Sequence, residues 1–384
     1  MGHDAATNPA APPPSRLLQH LIQEAGTAQD QQVWARAVCL AAAHQARAGM
    51  LDEAPVSLGL VREAYGPGVN PETACWLILS EGILQWCLFD ASHGYARMRG
   101  AHALAMSMGA DSAASCAAWM ALLEFNASQY DRMALHLTEV FEHARSDDHL
   151  ARARAALVIA TAYHYAGDFT AARPWYEETR LHAVAVGDEN TWGAMLHNMA
   201  TFRLANVRFD DAFGELNTTE LDRASIEAQG SATYDFATHN TVHPSMRYLM
   251  LGQLYVSERK YGLALEQFQL VDIPAFNHNN TEALVKTDSA WCMHALGETA
   301  QSLALAAEAL RCMDRLVDTD DQAYVNARLA AIFRATPGHE ALASRLQSSA
   351  QQAREAHMKT RANMILSLAS IRARPILHKE KRPD

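Results

Sequence analysis

The chain has 384 residues, of which 49% are hydrophobic and 20% charged, and its formal net charge is −11. This composition is typical of a folded protein and excludes disordered and collagen-like chains. The acidic balance argues against a general nucleic-acid binder, because Lys and Arg supply most of the affinity for phosphate backbones.

The N-terminus, the apolar segments and the cysteines bear on where the protein acts. Residues 1–14 have no cationic start followed by an apolar stretch, so we expect a disordered leader rather than a secretory signal. The longest apolar segments, residues 74–79 and 155–163, fall far short of the roughly 18 residues that span a bilayer. The six cysteines form no C-x-x-C pair and are expected to be buried free thiols. These features predict a cytoplasmic protein without membrane segments.

Residues 15–371 carry a repeated helical pattern. Apolar residues recur at intervals of three and four, while the period-two alternation of strands is nearly absent. A small residue on the second helix of each unit recurs about every 40 residues, with Met133 the larger exception. These small residues are Ala54, Ser92, Ala172, Ala212, Ala264 and Ser302. The clearest unit contains Tyr248, Leu251, Gly252, Tyr255, Tyr261, Ala264 and Phe268.

This pattern resembles a long-helix form of the tetratricopeptide repeat, similar to those of bacterial regulator and peptide-receptor domains and of kinesin light chains. In such a repeat, small residues such as Gly252 and Ala264 allow two helices to approach closely. The resemblance implies an all-α fold, a right-handed α-solenoid of about eight antiparallel helix pairs over residues 15–371. An ordinary all-helical globule or bundle is the alternative, although it would not need small residues at matched positions.

Two segments depart from the repeat. One interval, between Ala212 and Ala264, is 52 residues long, which predicts a polar insertion at residues 217–244. Its role is open between a loop on the binding face and a tolerated surface loop, with one or two helical turns at residues 220–228. Residues 372–384 form a basic tail of net charge about +3, which we expect to be flexible.

The sequence holds no strong catalytic motif. It lacks a phosphate-binding G-x-x-x-x-G-K-[ST] loop, a G-x-G-x-x-G turn and a G-x-S-x-G elbow. His239 and His243 have the spacing of a zinc helix, but they lack its glutamate and precede Pro244. The acidic pairs at Asp147, Asp210 and Asp320 are interpreted as helix caps. We therefore predict no metal, no cofactor and no enzymatic activity.

The first helix of each unit should line the concave surface, and the repeat register selects the residues that point into it. We expect this groove to be neutral to mildly acidic, and to suit an extended or helical peptide with apolar or basic residues. It holds Arg154 but lacks the several Lys and Arg with which chaperone-type repeats hold a C-terminal carboxylate, so a clamp of that kind is not expected. The candidate groove residues are Glu81, Gln85, Trp119, Asn126, Arg154, Thr161, His164, Tyr165, His197, Asn198, Thr201, Gln253, Ser257, Asp288, Trp291 and His294.

Asn198 is the most specific candidate. The resemblance places it where peptide-binding relatives have an asparagine that bonds to the peptide backbone, and an amide side chain can donate and accept at once. The alternative is that Asn198 bonds to a neighbouring helix within the stack.

Together these features predict a non-catalytic scaffold that binds a protein or peptide in its concave groove. The expected context is a bacterial cytoplasm, where such a protein would act as a regulator or an adaptor. Two alternatives remain: a stand-alone sensory module of a signalling system, and a metal-dependent enzyme with His239 and His243 near its site.

Overall fold

The computed structural model describes residues 15–238, 244–276, 280–371 and 373, and all regular structure within these ranges is helical. The fold is therefore all-α, as predicted. Three predicted features lie outside the described residues. They are the leader, the pair His239 and His243, and the basic tail apart from residue 373. The first nine helices are α1 (Arg16–Thr27), α2 (Gln31–Arg47), α3 (Glu53–Tyr65), α4 (Pro71–Cys87), α5 (Ala91–Met108), α6 (Ala113–Asn126), α7 (Tyr130–His143), α8 (His149–Tyr165) and α9 (Phe169–Val186).

Eight further helices complete the described chain, with short 3-10 turns at Gly66–Gly68, Pro274–Phe276 and Met313–Arg315. They are α10 (Glu189–Ala212), α11 (Thr218–Ala237), α12 (Pro244–Ser257), α13 (Tyr261–Gln269), α14 (Thr281–Ala295), α15 (Thr299–Cys312), α16 (Thr319–Arg334) and α17 (Glu340–Ala369).

The helices pack in neighbouring pairs. After α1, each even-numbered helix packs on the helix that follows it, from α2 with α3 to α16 with α17. Most of these even-numbered helices also contact the next even-numbered helix; for example, α6 contacts α8, and α8 contacts α10. The even-numbered helices carry the longest buried stretches, because each has a partner of its own pair and neighbours on both sides. In α8, twelve residues from Ala151 to His164 are buried.

Local sequence signals explain where these helices begin and end. The side chains of Asp90, Asp148 and Asp168 each accept a hydrogen bond from the backbone N–H three residues later, at the start of α5, α8 and α9. The predicted capping role is wrong for Asp210 and Asp211, which lie inside α10. Asp320 and Asp321 lie in the first turn of α16, where a carboxylate still interacts favourably with the helix dipole.

The largest departure from the predicted repeat is in α10 and α11. The repeat pattern places Ala212 on the second helix of a unit, but Ala212 ends α10, which is the first helix of its pair and runs without a break for 24 residues. No glycine or proline interrupts residues 201–211, and the helix ends only before Gly214, whose φ is +79°. The partner helix is therefore α11, in the segment that was expected to be a polar insertion.

The hydrophobic periodicity of the sequence did not reveal helix α11, because its buried face is narrow and made of small residues. Its buried positions are Ala224, Ala228 and Ser231, whereas the other positions are more exposed, including the apolar Ile226 and Phe236. Ala224 lies 40 residues before Ala264, so the regular interval is restored there. The 52-residue interval falls instead between Ala172 and Ala224, where the long α10 accommodates it.

Gly252 provides the close helix contact that the repeat pattern predicts. A Cβ atom at this position would lie only 2.5 Å from Cε1 of the buried Phe268 ring, across the α12–α13 interface. We expect Gly252→Ala to lower the free energy of unfolding by about 1–3 kcal/mol, because the buried Phe268 ring must shift to admit the added methyl group. Gly262→Ala is the matched control, since no atom lies within 4 Å of its added Cβ. Equal urea midpoints for the two variants would contradict the close contact.

Both ends of the described chain return to its central helices. In α1, the backbone N–H of Leu17 donates a hydrogen bond of 3.2 Å to the carbonyl of Gly187, at the α9–α10 turn. In α17, Nε of Arg361 donates to the carbonyl of Tyr165 at 3.2 Å, and Ser367 Oγ to Asp131 Oδ1 at 2.7 Å. The terminal helices therefore cover part of the surface that an open stack would leave to a ligand.

Candidate functional site

Four of the predicted groove residues meet at one cavity of about 270 Å³. They come from three consecutive even-numbered helices: Trp119 from α6, Arg154 from α8, and His197 and Asn198 from α10. The cavity is closed further by α2, α4, α11 and α12, so seven helices contribute to it. Its other lining residues are Arg47, Trp86, Cys87, Leu122, Asn190, Gly193, Ala194, Asp235, Met246 and Arg247.

Arg154 is the most unusual side chain of this cavity. It is only 8% exposed, and its guanidinium lies over the Trp119 ring at 4.2 Å from the ring centroid. None of the described residues accepts a hydrogen bond from it or forms an ion pair with it. Burial and, to a smaller extent, the nearby charge of Arg47 lower the pKa of Arg154 to about 9, while the charge of Asp188 acts in the opposite direction. The side chain is thus a buried cation without a compensating anion in contact.

Arg47, by contrast, is neutralised within the protein. Its Nη1 donates to Asp188 Oδ2 at 3.2 Å, and its Nη2 donates to Thr191 Oγ1 at 2.7 Å. Arg47 holds the pKa of the buried Asp188 carboxyl well below its usual range, despite the opposing effect of burial. Asp188 is therefore ion-paired with Arg47 and His44, and it acts on Arg154 only through its nearby charge, without a hydrogen bond or an ion pair.

The expected charge of the groove is wrong for this cavity. Three arginines line it, Arg47, Arg154 and Arg247, against one carboxylate at Asp235. The register did not select Arg47 or Arg247, although both lie on the first helix of a pair, because each lies at the edge of its repeat unit. Arg47 ends α2, and Arg247 lies in α12 near the segment expected to be an insertion.

Asn198 has features of both roles considered for it, binding a peptide and bonding to a neighbouring helix. Its Nδ2 donates a hydrogen bond of 3.1 Å to Thr161 Oγ1 on α8, so the bond to a neighbouring helix is present. Its side chain also lines the cavity, and its Oδ1 accepts no hydrogen bond from the described residues. The amide thus has an acceptor left for a ligand, but a bidentate pairing with a peptide would require the Thr161 bond to break. Next to it, His197 Nε2 and Thr201 Oγ1 are hydrogen-bonded at 3.2 Å.

The remaining candidates of α8 contact other parts of the protein. His164 is buried between α8 and α9, where its Nδ1 lies 3.0 Å from the hydroxyl of Tyr176. The Tyr165 hydroxyl donates to Asp320 Oδ1 of α16 at 3.2 Å, so the returning C-terminal helices cover it. Neither side chain lines the cavity.

The candidates of the later units are also used internally. Asp288 is fully buried and accepts hydrogen bonds from Arg208 Nη2 at 2.6 Å and from the Tyr324 hydroxyl. Trp291 lies under Arg328 at 4.5 Å, and the His294 ring is 5.6 Å from it. Six further candidates do not line the cavity either: Asn126, which is exposed, Gln253 and Ser257, which are buried, and Thr201, Gln85 and Glu81. Glu81 is ion-paired with Arg62 and Arg97.

A second, smaller cavity of about 50 Å³ adjoins the first, and both are lined by Arg47, Trp119 and Arg154. Its other walls are mostly apolar side chains of α1, α2 and α4, such as Leu17, Leu40 and Leu79. Arg154 therefore lines both the smaller, mostly apolar cavity and the larger one.

The buried histidines predict a loss of stability in mild acid. Burial lowers the pKa of His164 to about 3, and the nearby Arg203 charge acts in the same direction. Below about pH 6.5 the unfolded chain takes up a proton that the folded His164 does not, so stability falls as the pH falls from 6.5 toward 4. We expect His164→Gln to reduce this slope by about 1 kcal/mol per pH unit, as measured by urea unfolding at several pH values. Equal slopes for this variant and the exposed-site control His20→Gln would contradict it.

No protein-family model matches the chain, and no curated protein has a matching sequence. Among the described residues, no helix is both long and apolar enough to cross a membrane. All six cysteines are free thiols, five of them buried, as predicted.

Proposed function

We propose that the chain is a non-catalytic helical-repeat protein, a right-handed α-solenoid that binds the carboxyl-terminal end of a protein or peptide in the 270 Å³ cavity. The observation that carries the proposal is Arg154, a buried cation that forms no hydrogen bond or ion pair with an anion among the described residues. Removing a charged group from water is costly unless a hydrogen-bonded counter-charge compensates it. A ligand carboxylate supplies that compensation.

The form of the cavity supports the end of a chain rather than a long stretch of it. Its volume lies near the lower limit of ligand pockets, about 300 Å³, so it accommodates few residues. The helices that return from both ends of the chain restrict the open length of the concave face. A free carboxyl terminus also presents two acceptor oxygens to a guanidinium, which favours bidentate hydrogen bonding.

The apolar part of the cavity suits the last side chain of such a ligand. Trp86, Trp119 and Leu122 form this part, and Met246 adds an adaptable surface. The Asn198 amide provides an acceptor for one backbone N–H of the ligand. We therefore expect a terminal residue with an apolar side chain, rather than the apolar or basic internal segment that the sequence pattern favours.

The wider role that we propose is that of a regulator or adaptor in a bacterial cytoplasm. Six free cysteines support a reducing compartment, since structural disulfides are common where conditions are oxidising. A stand-alone sensory module would bind its ligand in the same cavity, and it would differ from an adaptor only in the signal that the bound segment conveys.

A peptide library displayed with free carboxyl termini tests the proposal. We expect selection on the wild-type protein to enrich peptides that share an apolar last residue, and Trp119→Ala to weaken their binding by about tenfold or more. Trp291→Ala is the matched control, because Trp291 also lies under a buried arginine but outside the cavity. No enrichment, or an equal loss in both variants, would contradict the proposed site.

A further inference from the structure

A separate group of polar side chains lies between α5 and α7, outside the cavity. His102 comes from α5, and His136 and Glu139 come from one face of α7, three residues apart. Glu139 Oε2 lies 2.9 Å from His102 Nε2 and 2.8 Å from His136 Nδ1. Their side chains are 12–17% exposed, so a small ion from solvent can reach them.

The three side chains offer the donor set of a zinc site. Their ligand atoms all lie within 4.8 Å of one another and converge from two helices. Zinc bonds of about 2.0–2.2 Å to imidazole nitrogen and carboxylate oxygen place tetrahedral ligand atoms about 3.3 Å apart. The two distances to Glu139 Oε2 are a few tenths of an ångström shorter than this, so the three side chains must adjust their positions to admit an ion. Two histidines and one carboxylate also leave a fourth position for water.

A fourth residue behind His136 points to the same ligand. Glu124 is 2% exposed, and its Oε1, which accepts a hydrogen bond from the Tyr95 hydroxyl at 3.0 Å, lies 4.0 Å from His136 Nε2. Its Oε2 is buried and has no hydrogen-bond partner among the described residues. Metal-binding histidines usually donate their second ring N–H to a carboxylate. When His136 binds a metal through Nδ1, its proton is on Nε2 and faces Glu124.

We propose that His102, His136 and Glu139 bind one Zn²⁺ ion, with water in the fourth position and Glu124 orienting His136. The ion links the second helices of two successive pairs, which otherwise share few contacts. Because the site lies apart from Arg154 and the cavity, this proposal does not depend on the proposed peptide binding.

Calorimetric titration of chelator-treated, full-length protein with Zn²⁺ tests the site. We expect one ion per chain, the visible absorption of tetrahedral Co²⁺ when cobalt replaces zinc, and a higher melting temperature with zinc. Glu139→Gln and His136→Ala should each lower the affinity by more than about 100-fold, and Glu124→Gln by about 10–100-fold. Glu142→Gln, an exposed position on the same helix, is the matched control and should bind as the wild type does.

Circular dichroism of each metal-free variant checks that it is folded. Glu124→Gln and Glu139→Gln preserve side-chain volume, so they keep the test available if His136→Ala does not fold. Wild-type protein that takes up no Zn²⁺ at a concentration of about 100 μM would overturn the proposal. Equal affinities for the wild type, Glu139→Gln and Glu142→Gln would overturn it as well, because the ion would then be held by other surface groups.

Discussion

Asp288→Asn should lower the free energy of unfolding by about 3–5 kcal/mol, among the largest effects expected of one substitution in this chain. Asp288 is fully buried on α14 and accepts hydrogen bonds from Arg208 of α10 and Tyr324 of α16. The buried Arg208 guanidinium also lies over the Tyr324 ring, at 4.2 Å from its centroid. The substitution preserves the shape of the side chain but leaves the charge of Arg208 without a counter-ion. Chemical denaturation at neutral pH measures the loss.

Asp314→Asn is the control for this prediction. Asp314 is exposed in the 3-10 turn after α15, and removing a surface charge usually changes stability by less than about 0.5 kcal/mol. A similar small change for Asp288→Asn would mean that Asp288 is not the counter-ion of Arg208. The measurement also distinguishes a structural role of Asp288 from a role in ligand binding, because substitution of a ligand-binding residue would affect binding more than stability.

Arg154→Met should reduce ligand binding strongly and yet raise the stability of the protein. Hydrogen bonds to a charged group contribute about 1.5–3 kcal/mol, so binding of a carboxylate ligand should weaken by about 10–150-fold. Removing an unpaired buried cation relieves about 1–3 kcal/mol, and loss of the contact with Trp119 offsets about 0.5–1 kcal/mol of this. We therefore expect a net gain of about 1 kcal/mol in the free energy of unfolding.

Arg328→Met is the matched comparison. Arg328 is also buried and also lies over a tryptophan, but it is ion-paired with Asp211 of α10. The same substitution there should lower stability by about 3 kcal/mol, because it leaves Asp211 with only the more exposed Arg259. If both variants lost stability equally, Arg154 would have an internal partner, and the argument for an anionic ligand would fail.

The all-helical fold and the packing of helices in neighbouring pairs were predictable because their signals are local. The close contact at Gly252 and the caps at Asp148 and Asp168 follow from small or polar side chains at defined positions of a helix pair. Helix α11 gave a weak signal, because its buried face consists of alanine and serine and carries little hydrophobic periodicity. The length of α10 was missed for a related reason: its second half follows the expected pattern of a separate helix without containing a turn residue.

The site was less predictable because it depends on contacts between distant segments. The register placed Trp119, Arg154, His197 and Asn198 on the concave side, and they do line one cavity. It gave no indication that α16 and α17 return to cover Tyr165. It also gave no indication that Asp188 is committed to Arg47, which is 141 residues away. Which charges are compensated depends on such pairs, so the cationic character of the cavity was visible only in three dimensions.

Titration of one selected peptide in two forms, with a free carboxyl terminus and with an amidated one, tests the central claim most directly. The free acid should bind the wild-type protein about 10–150-fold more tightly than the amide, and Arg154→Met should bind the two forms equally. This combination of two ligands and two proteins isolates the contact between Arg154 and the carboxylate. Equal affinity of the wild-type protein for the acid and the amide would contradict the account.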